Sequence, residues 1–191
     1  MTHQKLDEQQ TPCLLVDEAR MDRNIARLQN YLRPLGVGLR PHLKTTKSVD
    51  IARRVMASPA GPATVSTLKE AEEFAAAGVR DILYAVGIAP DKLDRVVALR
   101  TAGVELSIVL DSVAQAQAVA AKSRQAGVAI PTLIEIDSDG HRGGVRPDDP
   151  LLIEIGRTLR QGGAQLRGVM THAGESYGAQ GVPVLDRKSV V

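Results

Sequence analysis

The sequence predicts an α/β fold with parallel strands, and three features of its 191 residues indicate it. Short β-branched runs alternate along the chain with amphipathic stretches, which is the pattern of βα units. Glycine follows most of the amphipathic stretches, at the place where a helix C-terminus favours it. With 3 Tyr, 1 Phe and no Trp, the core depends on Leu, Val, Ile and Ala, a composition that suits buried parallel strands.

The N-terminal segment predicts one short strand and one long helix. The apolar run Cys13–Val16 has the length and composition of a strand. Asp17 is a candidate N-cap for the helix, in which apolar residues recur at helical spacing from Met21 to Leu35. We expect Gly36 to end this helix.

Six strands and five further helices are predicted in the rest of the chain. Local signals mark several helix starts: Thr67 and Glu70 form an S/T-x-x-E capping box, Ser112 is an N-cap, and Asp149 precedes a proline at the first helical position. The predicted strands are Val37–Leu43, Ala63–Ser66, Asp81–Val86, Val104–Leu110, Pro131–Asp137 and Leu166–His172. The predicted helices are Val49–Met56, Leu68–Ala77, Asp91–Thr101, Val113–Ala126 and Leu151–Gln161.

Polar side chains that can do chemistry follow nearly every predicted strand. They are His42 and Lys44, Ser66 and Thr67, Asp111, Glu135 and Asp137, and Thr171 and His172. Barrel enzymes assemble their sites from the carboxyl ends of many strands, whereas an open doubly wound sheet concentrates its site at one switch point. No G-x-G-x-x-G or G-x-x-x-x-G-K-[ST] motif follows a strand. We therefore predict a partial (β/α)8 barrel rather than an open sheet.

A complete barrel needs more chain than this, since ~250 residues is typical. We expect about six parallel strands, with the seventh and eighth strands missing. Residues 1–180 are then an incomplete barrel domain, and residues 181–191 a polar tail. The last six residues, DRKSVV, match one reading frame of a sequencing-adapter string, so an artefactual end is favoured over a natural polar tail.

Composition excludes several classes of partner. The net charge is +2, and no basic run interleaves with aromatic residues, so nucleic acid is not expected. No run approaches the ~20 apolar residues that cross a bilayer. The single cysteine and the absence of an apolar N-terminal signal favour a reducing cytoplasm. Small-molecule partners are therefore favoured.

The segment R-P-H-L-K-T-T-K at residues 40–47 contains a candidate nucleophile. A lysine at the carboxyl end of a barrel strand can reach the site, and neighbouring cations favour the neutral form of an amine. Arg40, Lys47 and His42 are such neighbours of Lys44, which is therefore a Schiff-base candidate. Spacing alone does not separate Lys44 from Lys47, and the alternative interpretation is a solvated surface lysine.

Two further segments follow predicted strands. In residues 135–145, glycines permit a tight loop close to a ligand, and Arg142 offers a planar donor. The D-x-D-G run in this loop hints at Ca²⁺, but the spacing and the terminal Glu of an EF-hand are absent. Residues 171–177 contain His172, which by itself is more often structural than catalytic, and Tyr177, notable because tyrosine is scarce here.

Together these segments resemble a known family. T-P-C-L-L-V-D at 11–17, R-P-H-x-K-T at 40–45, E-I-D-x-x-x-x-R-x-G-V at 135–145 and T-H-A-G-x-S-Y at 171–177 are similar to motifs of the fold-type III pyridoxal phosphate (PLP) enzymes. The resemblance is greatest to the D-threonine aldolase and D-serine dehydratase group, whose N-terminal domain is of the alanine racemase type.

The resemblance implies roles for individual residues. Lys44 would hold PLP as an internal aldimine and later act as acid and base at the substrate α-carbon. Arg142 would lie beside the cofactor ring near its 3′ oxygen, and His172 and Tyr177 would line the ring. His42 would orient the lysine segment.

The function that the resemblance implies is that of a PLP-dependent lyase acting on D-configured β-hydroxy amino acids. An amino acid racemase, a non-catalytic PLP-binding protein and an inert fragment remain alternatives. The resemblance places a divalent metal only in the missing C-terminal domain, with no metal ligands in this chain, and implies that the full-length protein is a homodimer.

Overall fold

The computed structural model describes residues 6–178, which contain one five-stranded parallel sheet in the order β1-β2-β3-β4-β5. The strands are β1 (Ala63–Val65), β2 (Asp81–Gly87), β3 (Glu105–Leu110), β4 (Pro131–Ile136) and β5 (Gln165–Thr171). The helices are α1 (Glu18–Leu32), α2 (Val49–Val55), α3 (Leu68–Ala76), α4 (Leu93–Thr101), α5 (Val113–Ala126) and α6 (Leu151–Gln161). Short 3₁₀ segments cover Leu6–Glu8, Arg33–Leu35, Pro90–Lys92 and Gly174–Gly178.

The chain divides into two compact units, residues 1–39 and 40–191. In the first unit the predicted long helix is confirmed as α1, and its N-cap Asp17 accepts a hydrogen bond from the Arg20 N–H at 2.9 Å. The predicted strand at Cys13–Val16 is wrong, because these residues have no strand partner among the described residues. A strand exists only where another backbone takes up its hydrogen bonds, and a local apolar run does not supply one.

Of the six strands predicted after the long helix, five are confirmed, and Val37–Leu43 is wrong. It is reduced to a single parallel bridge between His42 and Thr64, whose N–H donates to the Pro41 carbonyl at 2.8 Å. The next ladder bonds toward the N-terminus would need the N–H groups of Pro41 and Pro62, and proline has none. The sheet therefore has five strands instead of about six.

Helices cover one face of this sheet. Every second residue along β3 lies on the same face and is fully buried, namely Leu106, Ile108 and Leu110. At Gly156 of α6, a β-carbon would lie 3.8 Å from Ile134, so this helix packs closely on β4. Each such buried aliphatic side chain contributes roughly 1.5–3 kcal/mol relative to an exposed one. The predicted architecture, a partial (β/α)8 barrel of parallel strands, is confirmed.

Two sequence-based expectations lie at or beyond the limits of the described residues. The polar tail at 181–191 falls outside them, and the division into a barrel domain at 1–180 and a tail stays a prediction.

No helix among residues 6–178 is long and apolar enough to span a bilayer.

Candidate active site

The carboxyl ends of the parallel strands gather the polar residues that the sequence singled out. Asp111 follows β3, Asp137 follows β4 and His172 follows β5. Parallel strands end at the same edge of their sheet, so these side chains share one region of the molecule. Lys44 joins them, because it follows the His42–Thr64 bridge beside β1.

Three motifs that are distant in sequence meet at His172. Partial burial lowers the pKa of the His172 imidazole, and charge repulsion from Arg142 and then from Lys44 lowers it further, while Asp139 opposes the shift. Charges exert such an effect only over short distances. Lys44 and Arg142 therefore lie within electrostatic range of His172, on the order of 10 Å, and the lowered pKa favours the neutral imidazole at pH 7.

A neutral histidine also holds the lysine segment. His42 Nδ1 lies 3.3 Å from the Lys44 backbone nitrogen and accepts its hydrogen, while Nε2 lies 3.5 Å from Ser66 Oγ. Partial burial lowers the pKa of His42, and the charges of Lys44 and His172 add to the effect against the opposing influence of Glu70. Because Nδ1 can accept only when it is unprotonated, this geometry requires the neutral imidazole.

Arg40 and Lys47, which the sequence predicts as cations near Lys44, are each paired with a carboxylate. Arg40 forms a bidentate ion pair with Asp81, with nitrogen–oxygen distances of 2.8 and 2.9 Å. Asp81 is the first residue of β2, so it lies at the amino end of the strands, away from the candidate site. Lys47 Nζ lies 3.2 Å from the carboxylate of Glu70. Sequence proximity suggested a cluster of positive charge, but each of these cations is neutralised by a carboxylate distant in sequence.

Arg142 is carried by a loop that folds back onto β4. Val145 donates its N–H to the Glu135 carbonyl at 2.9 Å, and its own carbonyl accepts from the Asp137 N–H at 3.0 Å. Asp137 Oδ1 accepts from the Gly140 N–H at 2.8 Å, so this carboxylate caps the turn. The loop is therefore closed at both ends, and Arg142 has a fixed base.

Two carboxylates lie against the backbone of this loop and close to each other. Asp111 Oδ2 accepts the Gly144 N–H at 3.1 Å, and a β-carbon at Gly143 would lie 3.6 Å from both Asp111 Oδ2 and Glu135 Oε2. Burial raises the pKa of Glu135, the Asp111 charge raises it further, and Arg142 opposes the rise. Sequence reasoning noted that both acids follow strands but missed that they face each other.

The third motif packs directly against the second. A β-carbon at Gly174 would lie 2.9 Å from Arg142 Cγ and 3.0 Å from its Cδ. The stem of the arginine therefore occupies the space above this glycine, which no larger residue could leave free. Spacing along the sequence gave no signal of this contact. The side chain of Tyr177 lies outside the part of the chain that the structure describes, so its predicted role stays a prediction.

Comparison with known families agrees with the architecture and the motifs. Residues 16–187 match the family described as "Alanine racemase, N-terminal domain". The chain belongs to this family. The resemblance noted from the four motifs is confirmed, as is the fold that it implied.

Individual relatives of this alanine racemase-type domain have named activities. D-threo-3-hydroxyaspartate dehydratase of Delftia sp. (strain HT23) is 56% identical over 168 residues, which are 87% of this chain and 44% of that protein. A solved structure of that dehydratase has a TM-score of 0.89 and 52% identity, and covers 95% of this chain and 49% of that one. Similar to a lesser degree is 3-hydroxy-D-aspartate aldolase of Paracoccus denitrificans, 32% identical over 78% of this chain and 39% of that protein. The chain spans less than half the length of these relatives.

Alanine racemase-like enzymes of fold type III use PLP, and the donor set of this site fits that cofactor. The Lys44 amine matches the aldehyde of PLP, and the Arg142 guanidinium matches its anionic ring oxygen. The neutral imidazole of His172 matches its flat aromatic ring. A divalent metal would need other ligands. Residues 6–178 contain no group of three or more His, Cys, Asp or Glu side chains able to hold an ion.

The convergence on His172 can be tested by titration. We expect NMR titration of His172 and His42 to give midpoints below the ordinary value of 6.5. Arg142→Gln should raise the midpoint of His172 and move that of His42 much less, because Arg142 acts directly only on His172. Lys44→Met should raise both. If neither substitution moves the His172 midpoint, then the three side chains are not neighbours in solution.

Proposed function

We propose that this chain supplies the lysine-bearing half of a PLP-dependent lyase that acts on D-configured β-hydroxy amino acids. The observation that supports this most strongly is the position of Lys44, Arg142 and His172 at the carboxyl ends of the strands, with Arg142 packed over Gly174, which is two residues after His172. The 56% identity to a named 3-hydroxyaspartate dehydratase supports the same class of reaction.

Each of these residues has a distinct task in the proposal. When bound, PLP serves as an electron sink for the bond that breaks at the substrate α-carbon. Lys44 would hold the cofactor through its amine and would move a proton at the substrate α-carbon. The Arg142 guanidinium, whose stem lies over Gly174, would bind the ring oxygen of the cofactor. His172 and Tyr177 would bind the face of the cofactor ring.

Dehydration is the favoured reaction of the two that this chemistry allows. Loss of the α-proton and of the β-hydroxyl, followed by hydrolysis, yields a keto acid and ammonia. Cleavage between the α- and β-carbons yields glycine and an aldehyde instead. The chain is 56% identical to the dehydratase and 32% identical to the aldolase. We therefore favour elimination, and a β-hydroxy amino acid with an acidic side chain is the first substrate to offer.

Chemical trapping tests the proposed nucleophile. The complete protein is incubated with PLP, reduced with borohydride and digested, and the labelled peptide is identified by mass spectrometry. We expect the label on Lys44. A label confined to Lys47, or none on either lysine, would overturn the assignment.

Product analysis separates the reactions. D-threo-3-hydroxyaspartate, D-serine and D-threonine are offered in turn, and keto acid and glycine are measured. Keto acid in excess supports dehydration, and glycine in excess supports aldol cleavage. Failure to form either product from all three substrates would overturn the lyase proposal and favour a racemase or a PLP carrier.

A further inference from the structure

The pairing between β1 and the segment that carries Lys44 stops after one bridge. To continue, the ladder would need the Ser66 N–H to donate to the Leu43 carbonyl, which would draw Lys44 into the sheet opposite Ser66. Instead, the Ser66 N–H donates to Glu70 Oε2 at 2.8 Å, and the Leu43 carbonyl accepts from the Lys47 N–H at 3.0 Å. Both groups that the next ladder bond requires are already occupied.

Glu70 is unusually buried for a residue in the first turn of a helix. Its side chain, which belongs to the capping box with Thr67, is only 8% exposed. Buried carboxylates require partners, and the Glu70 carboxylate accepts the Ser66 N–H and forms an ion pair with Lys47 Nζ at 3.2 Å. Burial alone would raise the pKa of Glu70, but the Ser66 N–H, Lys47 and the Thr67 N–H lower it below its ordinary value, so the carboxylate is ionised at pH 7.

Lys47, the ion-pair partner of Glu70, has an unusual backbone conformation. Its φ is +47°, and it is the one residue other than glycine with a positive φ among those that the structure describes. Side chains other than glycine, asparagine and aspartate rarely adopt this left-handed region. In this conformation Lys47 Nζ reaches the Glu70 carboxylate, and the Lys47 N–H donates to the Leu43 carbonyl.

We propose that Glu70 is the positioning residue for Lys44. By binding the Ser66 N–H and Lys47 Nζ together, it keeps residues 44–47 out of the β-ladder and presents Lys44 at the edge of the sheet where His172 and Arg142 lie. Lys47 is then a structural anchor and not the nucleophile. The inference rests on the proposed role of Lys44.

Amide hydrogen exchange measures the positioning directly and requires no cofactor. Glu70→Gln removes the charge but keeps an oxygen that can accept the Ser66 N–H, whereas Glu70→Leu removes both functions. We expect the Lys47 amide to exchange at least about tenfold faster in both variants, and the Ser66 amide only in Glu70→Leu. Glu73→Gln breaks the exposed ion pair of Lys69 and Glu73 on the same helix and serves as the matched control, with both amides unchanged.

Chemical trapping adds a readout that a merely stabilising role would not move. In the complete protein, reduction with borohydride in the presence of PLP should label Lys44 almost alone. In Glu70→Leu the ratio of Lys47 label to Lys44 label should rise about tenfold, because the ammonium of Lys47 is released and Lys44 is no longer held in place. Glu73→Gln should keep the ratio of the unmodified protein.

The outcomes separate this inference from the function on which it rests. Absence of Lys44 label in the unmodified protein contradicts the proposed function, and the exchange rates then still decide whether Glu70 holds the loop. Normal Lys44 labelling, with exchange rates and label ratio unaffected by Glu70→Leu, contradicts the positioning role. If circular dichroism shows that Glu70→Leu is unfolded, the isosteric Glu70→Gln decides on the exchange of the Lys47 amide.

Discussion

Replacing Lys44 with methionine is expected to lower turnover of the complete protein by at least about 10³-fold, because in the proposed function the Lys44 amine both attaches the cofactor and moves a proton. Methionine keeps the length of the side chain and removes its basic nitrogen. The described ion pairs do not include Lys44, so its removal leaves no buried charge behind. Turnover is measured as keto acid formed per enzyme, and retention of PLP by the visible absorbance of the dialysed protein.

Two controls make this result specific. Lys69→Met removes an exposed lysine whose partner Glu73 is also exposed, and it should leave turnover unchanged. A small primary amine added to the Lys44→Met variant should restore part of the lost rate, since it can replace the missing base in solution. Turnover of the Lys44→Met variant within tenfold of the unmodified protein would show that another residue performs the proton transfer.

The elements that the sequence predicted best are those with local signals at their ends. α5 and α6 begin and end at the predicted residues. The Ser112 hydroxyl accepts from the backbone N–H three residues ahead and caps α5 as predicted. The N-cap of α6 is Pro150, one residue later than predicted, and the side chain of Asp149 accepts from the Leu151 N–H at 2.9 Å. Such caps depend on residues within one turn of each other, so a single sequence contains all the information they need.

The errors arise where hydrogen bonds join distant segments. The run Val37–Leu43 has the apolar composition of a strand, yet its ladder depends on the N–H groups that Pro62 and Ser66 could offer. Pro62 has no N–H, and the N–H of Ser66 is bound by Glu70. Arg40 was expected beside Lys44 for a similar reason, and its direction is decided by Asp81, which is 41 residues away.

The candidate site was predicted in outline because strand ends converge in any parallel barrel. Lys44, Arg142 and His172 each follow a strand position, so their proximity follows from topology alone. The contacts that hold these side chains in place do not follow from the topology. The close approach of Arg142 to Gly174 and the pairing of Lys47 with Glu70 join loops whose relative positions only the folded chain defines.

Replacing Gly144 with alanine is expected to destabilise the fold by about 3 kcal/mol or more, through overpacking against backbone and a strained φ. Gly144 has a φ of +128°, and a β-carbon there would lie 2.5 Å from the Asp137 nitrogen and 2.7 Å from the Ile136 carbonyl carbon. These atoms belong to β4 and to the first residue after it, so they cannot move aside as a flexible side chain would. The measurement is urea-induced unfolding followed by circular dichroism.

The same loop contains a matched control for this substitution. Gly140 also has a positive φ, +74°, but a β-carbon there would meet no atom within 4 Å. Gly140→Ala should therefore cost only about 1 kcal/mol, the penalty for a left-handed residue without a steric clash. The difference between the two variants isolates the close approach of the loop to β4.

The Gly144 N–H also donates to Asp111, so a β-carbon at residue 144 should displace the loop together with Arg142. Gly144→Ala should therefore lower the affinity for PLP, and Gly140→Ala should not. Equal losses of stability in the two variants would show that the loop does not lie against the strand.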